Sequence, residues 1–378
     1  MQIDPFRIAI PEPALADLQA RLARTRRAPP IAAQGASEGI DPDFLDRLLA
    51  HWRERFDWRA VEARLNRLSH YRARIHDHDI HFVHQPGAGP APLPLVLTHG
   101  WPGSFLEMEA IIPLLADPGA HGADPADAFH VVAPSLPGFG FSSQPTHKGT
   151  GAHETAGLWR ALMAGLGYPR FGAQGGDIGA GVSAWLGQRF PDQVIGMHLN
   201  YIPGSYRPPQ DAGQAPPTDE EQDFLRRAAA FLEHEGAYAR LQGTKPHTLA
   251  VGLHDSPAGL AAWIGEKFQS WTDRPLDLDT VLANVSLYWF TESIGSSLRM
   301  YVEGRARPLA LQERIRPPLG VALFPRELPM PPRSWVERGF DVRRWQTMPA
   351  GGHFAALEQP QLLAEEIRAF FRPLRRQL

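Results

Sequence analysis

The sequence predicts an α/β fold, a mostly parallel and doubly wound sheet with an N-terminal helical extension and an inserted helical lid. Three observations carry that expectation. Short apolar runs alternate with helix-patterned segments between residues 66 and 203. Several runs stop at glycine- or proline-bearing loops, as buried parallel strands do. The alternation is suspended over 204–305, where Trp and Phe are frequent, and resumes over 306–378. The expected organisation is therefore an extension over 1–65 that wraps the core, a first core segment over 66–203, a lid over 204–305 and a second core segment over 306–378.

Pro11 and Pro13 precede Leu15, Leu18 and Leu22, whose i, i+3, i+7 spacing marks one face of a helix. A Pro/Gly/Ala stretch from Pro29 to Gly39 separates it from a second helix carrying Phe44, Leu45, Leu48, Leu49, Trp52 and Phe56. That stripe bears no reactive group and reads as a packing surface. Strands are expected at Ile80–His84, Leu93–Thr98, Phe129–Ala133, Phe171–Gln174 and Val194–Leu199, with helices at Phe105–Leu115, Glu154–Leu166 and Val182–Phe190 between them. A Pro/Gln/Gly-rich link, Tyr206–Thr218, leads into helical sequence reaching about Glu303. Leu319–Phe324 and Val342–Met348 resume the sheet, and Leu362, Leu363, Ile367, Phe370 and Phe371 form a closing amphipathic stripe.

With 378 residues, 43% hydrophobic and 21% charged, the chain can bury a large core. A net charge of −3 argues against a nucleic-acid partner. The absence of cysteine excludes disulfides, thiolate metal sites, iron–sulfur clusters and a cysteine nucleophile. Met1 to Ile10 lacks a charged-then-apolar leader pattern, and no run approaches the ~18 apolar residues of a membrane span. The expectation is a soluble, cytoplasmic protein without a membrane anchor. Proline, at 37 residues, is about twice its usual share of roughly 5%, which points to stiffened loops. No motif specifies an oligomeric state, and a homodimer stays open.

Three loops stand where apolar runs end, which is where open parallel sheets bind ligands. The first is His99-Gly100-Trp101-Pro102-Gly103-Ser104. His99, Gly100 and Pro102 shape a turn that can aim the Trp101 amide at a developing negative oxygen. The second is Gly175-Gly176-Asp177-Ile178-Gly179, the spacing of a nucleophile elbow with Asp where Ser is usual. Such an elbow raises the Asp177 side chain and points the Ile178 N–H toward the same oxygen as Trp101. Taken singly, these loops also read as a plain strand-to-helix turn and as an Asp-capped helix. The third is Gly351-Gly352-His353-Phe354, after the last expected strand, where a general base belongs. The orienting acid should follow the strand before it, so Glu327 is the candidate and Asp341 the second choice. The order nucleophile, acid, histidine is that of α/β-hydrolases. No Gly-x-Ser-x-Gly occurs, so a serine esterase lacks its nucleophile.

Taken together, these motifs resemble the α/β-hydrolase epoxide hydrolases, specifically the microsomal-type branch. The resemblance covers nearly the whole chain. It includes the extension beginning Asp4-Pro5-Phe6, the His-Gly-Trp-Pro-Gly-Ser loop, the Gly-Gly-Asp elbow, Tyr238 to Trp271, Phe324 to Glu327 and Gly-Gly-His-Phe-Ala-Ala. It implies an α/β-hydrolase fold and two lid tyrosines that act as acids toward an epoxide oxygen. By match to the family pattern these are Tyr238, in Tyr-Ala-Arg-Leu-Gln-Gly-Thr-Lys-Pro, and Tyr301, in Leu-Arg-Met-Tyr-Val-Glu. By residue type alone, Tyr201, Tyr206 and Tyr288 are equally eligible. Many members carry Trp after the nucleophile, where this chain has Ile178. The backbone donor survives that change, while the pocket wall changes. Membrane-bound relatives carry an N-terminal anchor, whereas this chain starts at the helical extension and looks like a soluble bacterial or fungal-type member.

The resemblance implies attack by Asp177 on an epoxide carbon, then hydrolysis of the ester by water activated by His353, with Glu327 orienting the imidazole. The partners are an epoxide and water, and no metal or organic cofactor is required. Lid aromatics Phe231, Trp263, Phe268, Trp271, Trp289 and Phe290 suggest an apolar substrate pocket. A haloalkane dehalogenase also uses an Asp elbow but normally has an indole beside it, where Ile178 stands here. A catalytically inactive binding protein on the same fold is the remaining alternative.

Overall fold

The computed structural model describes residues 1–29, 35–209 and 216–377. Residues 30–34 of the Pro29–Gly39 stretch and 210–215 of the Tyr206–Thr218 link lie outside the described residues. The strands are β1 (Ile3–Pro5), β2 (His70–Ile75), β3 (His78–Gln85), β4 (Leu93–Thr98), β5 (Phe129–Pro134), β6 (Phe171–Gly175), β7 (Val194–Leu199), β8 (Ile315–Leu323) and β9 (Phe340–Thr347). They form one sheet in the order β1-β2-β3-β5-β4-β6-β7-β8-β9. From β5 to β9 every pairing is parallel, while β1, β2 and β3 run antiparallel. The antiparallel edge departs from the sequence expectation at both ends of the extension. Residues 3–5, expected to open a helical segment, pair with β2 instead, and β2 and β3 are joined by a tight turn at His76, where φ is 54°.

Helices α1 (Glu12–Ala23), α2 (Pro42–Glu54) and α3 (Trp58–Leu65) form the extension. Proline lies in the first turn of α1 and α2, where its missing N–H costs nothing. Asp41 and Asp57 cap α2 and α3 by accepting backbone N–H groups. The expected helix over 105–115 is broken into a 3₁₀ turn at Phe105–Met108 and α4 (Ile111–Ala116). Pro113 has no N–H to donate and is tolerated only in a first turn, so the α-helix restarts just ahead of it. Helices α5 (Ala152–Gly165) and α6 (Asp177–Arg189) follow β5 and β6.

The inserted lid is six short helices: α7 (Asp219–His234), α8 (Ala237–Gln242), α9 (Pro246–Asp255), α10 (Pro257–Trp271), α11 (Leu278–Phe290) and α12 (Ile294–Ala306). Beyond it lie α13 (Arg333–Glu337), α14 (Ala355–Glu358) and α15 (Pro360–Phe371). Adjacent residues of β4 serve opposite faces, as strand geometry requires. Leu95 and Leu97 pack in one cluster with Leu115, Ile367 and Phe371, and Val96 packs in the other with Trp159 and Val182. Both faces are therefore dry, which explains why the strand reads as an unbroken apolar run. Among the described residues no helix is long and apolar enough to cross a membrane.

The extension holds the lid as well as the core. The Asp41 N–H donates to Gln269 Oε1 at 3.1 Å, His51 Nε2 pairs with Asp279 at 2.7 Å, and Trp58 meets Phe290 at 5.0 Å between ring centres. On the far side of the lid, Glu221 of α7 is fully buried and pairs with Arg338 and Ser334 Oγ. It also accepts the Thr218 N–H at the helix cap. Removing one partner of a buried pair strands the other charge. Arg338→Leu is expected to cost about 3 kcal/mol in equilibrium urea unfolding, and adding Glu221→Gln should restore more than half of it. An additive double variant would show that the pair contributes no coupling.

Candidate active site

The three expected loops meet at the carboxyl edge of the sheet. Asp177 opens α6 directly after β6, and His99 follows β4. Glu327 lies four residues beyond β8, and His353 lies in the loop between β9 and α14. Asp177 has φ 47°, a left-handed conformation unusual for a residue with a Cβ. Close backbone packing keeps it there. A Cβ on Gly179 would lie 2.0 Å from the Thr98 carbonyl oxygen, so α6 can sit this near β4 only with glycine at that position. A Cβ on Gly100 would lie 2.3 Å from Asp177 Oδ1.

The Trp101 N–H donates to Asp177 Oδ1 at 2.7 Å. Asp177 Oδ2 lies 3.6 Å from His353 Nε2, and His353 Nδ1 lies 2.6 Å from Glu327 Oε1. The aspartate thus has one oxygen on a backbone donor and the other facing the imidazole. Ile178 follows in the first turn of α6, where amides have no partner within the helix. The His353 and Glu327 side chains are each 3% exposed. Burial alone would lower the imidazole. The hydrogen-bonded Glu327 carboxylate and the nearby Asp177 charge outweigh it and hold His353 up at about 9.

The lid brings Tyr238 from α8 and Tyr301 from α12 together over this array. Their rings meet edge to face at 5.8 Å, and the two hydroxyls interact by a hydrogen bond. Trp101 stacks on Tyr238 at 5.6 Å and meets Tyr301 edge-on at 5.7 Å. Burial, reinforced by the neighbouring charges, pushes both phenols above their ordinary range and keeps them as O–H donors. Of the other eligible tyrosines, two are bound to backbone carbonyls and the third lies against His353. Tyr288 donates to the Gly103 carbonyl at 2.8 Å, and Tyr206 donates to the Trp335 carbonyl at 3.1 Å. Tyr201 presents its ring edge to His353 at 5.9 Å. Asp341, the second choice for the acid, pairs with Arg314 and Arg343 and does not reach His353.

Several residues that shape the site carry no sequence signal. Asn284 of α11 donates to the Pro102 carbonyl at 2.7 Å and accepts from Ser104 Oγ at 2.8 Å, so the lid grips the loop bearing Trp101. The Trp101–Pro102 peptide in that loop is cis. His353 N–H donates to the Trp271 carbonyl at 2.9 Å, and the Trp271 ring stands edge-on to His353 at 5.1 Å. The sixteen-fold choice among histidines was narrowed by position, but Glu107 was passed over entirely. Ser104-x-x-Glu107 has the spacing of a capping box, and a backbone hydrogen bond to Ser104 fits that role. Yet Glu107 also lines a cavity with Gly100, Trp101, Asp177, Asn200 and His353. Of the six lid aromatics, Trp271 alone has ring contacts to site residues. Phe268 stacks on Phe354, Phe290 meets Trp58, Trp289 lies under Arg21 and Trp263 donates to Gln242. Their main task is to seat the lid. Among the described residues no group of three or more metal-ligating side chains could hold a metal ion.

His99 fixes the first loop from inside. Its Nδ1 faces the Gly100 carbonyl at 3.0 Å and its Nε2 accepts the Leu136 N–H at 3.1 Å, so the ring is neutral with the proton on Nδ1. Burial lowers His99 to about 4 and His198 to about 3. Both bind a proton more readily unfolded than folded, so their stabilising contribution is complete above pH 6.5 and is lost as pH falls toward 4. The urea midpoint should therefore fall between pH 7 and pH 5, by on the order of 1–2 kcal/mol per histidine. A midpoint that is flat over this range in wild type, and unchanged by His198→Gln, would remove the assignment.

The Epoxide hydrolase N terminus family matches residues 3–108, and the alpha/beta hydrolase fold family matches 94–275. A Stigmatella aurantiaca protein provisionally named epoxide hydrolase is 45% identical over 99% of this chain and 86% of its own. Epoxide hydrolase 1 of Oryctolagus cuniculus is 36% identical over 99% of this chain and 90% of its own. The solved Aspergillus niger epoxide hydrolase superposes with a TM-score of 0.88 at 35% identity, covering 99% of this chain and 97% of that one. The nine-stranded core, the Asp elbow and this similarity along the full length place the chain in the epoxide hydrolase family of the α/β-hydrolase fold.

Proposed function

We propose that the chain converts an apolar epoxide, aryl or alkyl, and water to a vicinal diol through a covalent ester of Asp177. The observation that carries this reading is the division of labour around one carboxylate. Asp177 Oδ1 is held by the Trp101 amide, Oδ2 is free to attack, and two buried phenols overhang the pair. An epoxide carbon attacked by Oδ2 releases a strained C–O bond, and the leaving oxygen takes a proton from Tyr238 or Tyr301. Neutral phenols are suited to this, being donors that are poor nucleophiles at neutral pH.

The second half uses water. Its oxygen attacks Asp177 Cγ, one of its protons goes to His353 Nε2, and the former carbonyl oxygen Oδ1 becomes an oxyanion. The Trp101 and Ile178 amides receive that charge, and such a donor is typically worth about 2.7–4 kcal/mol of barrier. The ester C–O bond then breaks, the imidazolium proton goes to the departing alkoxide to complete the diol, and the carboxylic acid left on Asp177 returns its proton to the phenolate formed in the first half, which restores both groups. No step requires a metal or cofactor. The charge of the cluster orders the two halves. In the free enzyme His353 is held at about 9 and is protonated at neutral pH. Esterification removes the Asp177 charge, lowers the imidazole and turns it into a base when a base is needed.

Support for an apolar substrate comes from Trp101 and Trp271 around the tyrosines, rather than from the lid aromatics at large. Against the dehalogenase reading, the residue beside the nucleophile is Ile178, and the paired phenols suit an epoxide oxygen. Against an inactive fold, all three members of the Asp177, His353 and Glu327 array are within reach of one another.

The Tyr238→Phe/Tyr301→Phe double variant should slow burst-phase ester formation from styrene oxide by at least about 100-fold. Wild-type burst rates in that variant would remove the phenols from the mechanism. His353→Gln should form the ester and fail to release diol. In heavy-oxygen water the label should enter the Asp177 peptide during a single turnover of the wild type, and direct labelling of the diol instead would discard the ester route. Ester breakdown should rise with pH through a value well below 9, because the Asp177 charge is gone. An acid limb still centred near 9 would mean that His353 is not switched by esterification.

A further inference from the structure

A cavity lies beside Asp177, lined by Gly100, Trp101, Glu107, Asp177, Asn200 and His353, and Tyr238 and Tyr301 are not among its walls. It leaves about 20 Å³ for the centre of a water-sized sphere, and roughly 10–15 Å³ suffices for one water molecule. The nucleophile is thus approached from two sides of different character. The phenols overhang one side, and the other is a small niche with mixed polar and apolar walls that contains the general base.

A water able to give one proton to His353 Nε2 from that niche would need a partner for the other. We propose that Glu107 is that partner, a catalytic residue that holds the hydrolytic water in line with Asp177 Cγ while His353 removes its proton. This inference rests on the ester reading given above. The placement of Glu107 supports the role on three grounds. Its Oε1 occupies the space beside Gly103 that a Cβ there would take, so the carboxyl is held against the Trp101-bearing loop. Its hydrogen bond with the Ser104 backbone anchors the carboxyl at the capping-box position. It feels the charges of both Asp177 and His353, the two groups that the water must bridge.

The protonation state decides how it acts. The titratable groups facing Glu107 are Asp177 at the head of α6, His353 ahead of α14 and Tyr288 on α11. His99 also borders the niche, with both ring nitrogens taken by Gly100 and Leu136. Glu358 of α14 is turned to the backbone of Asp273 and Phe354, and α4 carries no titratable residue. Burial raises Glu107 to about 8, against the opposing charge of His353 and with the Asp177 charge adding to it. At neutral pH the carboxyl is therefore protonated. Its carbonyl oxygen accepts the second hydrogen of the water, and no fresh negative charge stands beside the oxyanion forming on Asp177. Ionisation above pH 8 introduces that charge and opposes the step.

The test separates the two half-reactions with styrene oxide and stopped-flow single turnovers, supported by quench and peptide mass spectrometry. Glu107→Ala is expected to leave ester formation within about threefold of wild type and to slow ester breakdown by about 100-fold, so that the ester accumulates. Glu107→Gln, a neutral isostere, should be about tenfold faster in breakdown than the alanine variant and should lose the decline above pH 8. Equal slowing by Gln and Ala, or a decline above pH 8 that persists in Glu107→Gln, would overturn the protonated role. Breakdown at the wild-type rate in a folded Glu107→Ala variant would overturn any role. If no variant and no wild-type sample yields an Asp177 ester, the ester reading itself fails, which is a different result from ester that forms and decays normally without Glu107.

Discussion

Three carboxyl groups surround one imidazole at the carboxyl edge of the sheet, and the charge of that cluster governs the rest of the site. Bringing such groups out of water is unfavourable unless each is paired or neutralised. Glu327 is paired with His353 at 2.6 Å, Asp177 with the Trp101 amide and the same imidazole, and Glu107 is neutralised by taking up a proton. The arrangement holds the His353 imidazole above its ordinary range despite its burial.

The lid has a wider part in this than a cover. It supplies both phenols, and α11 holds the first loop through Asn284 and Tyr288. Trp271 at the end of α10 fixes the backbone of His353. The extension in turn braces α10 and α11 through Gln269, Asp279 and Phe290. The aromatic residues of the lid mostly serve this bracing, which is why their number is a poor guide to the lining of the pocket. The chain of support runs from a helical extension with no reactive group to the Trp101 amide that holds Asp177 Oδ1.

Legibility in the sequence followed chain locality. Strands β4 and β7 coincide with their apolar runs because both faces of each are buried, so no alternation obscures them. The edge strand β1 escaped notice, being three residues long with two of them exposed, and its place depends on pairing with β2. The helix expected over 105–115 breaks because Pro113 confines it, a local rule that apolar periodicity alone overrode. Asp177 and His353 were readable from glycine-bounded loops at strand ends. Glu327 was readable by position once the order of elements was known. Tyr238 and Tyr301 could be told from five other tyrosines only through the family pattern, because residue type does not encode which phenols face a site.

The sequence by itself determined the layer architecture, the glycine-bounded loops at the strand ends and the aspartate at the elbow. Those features follow from periodicity, from glycine at tight turns and from the choice of aspartate at the elbow, all of which act over a few residues. Tertiary structure alone decided which groups share a charge. The separation of Asp177 from Glu107 is 70 positions along the chain, and from His353 it is 176, yet all three border one niche. A carboxyl whose spacing reads locally as a helix cap becomes a wall of that niche and is pushed above its ordinary range, because burial outweighs the opposing charge of His353 and the Asp177 charge adds to it.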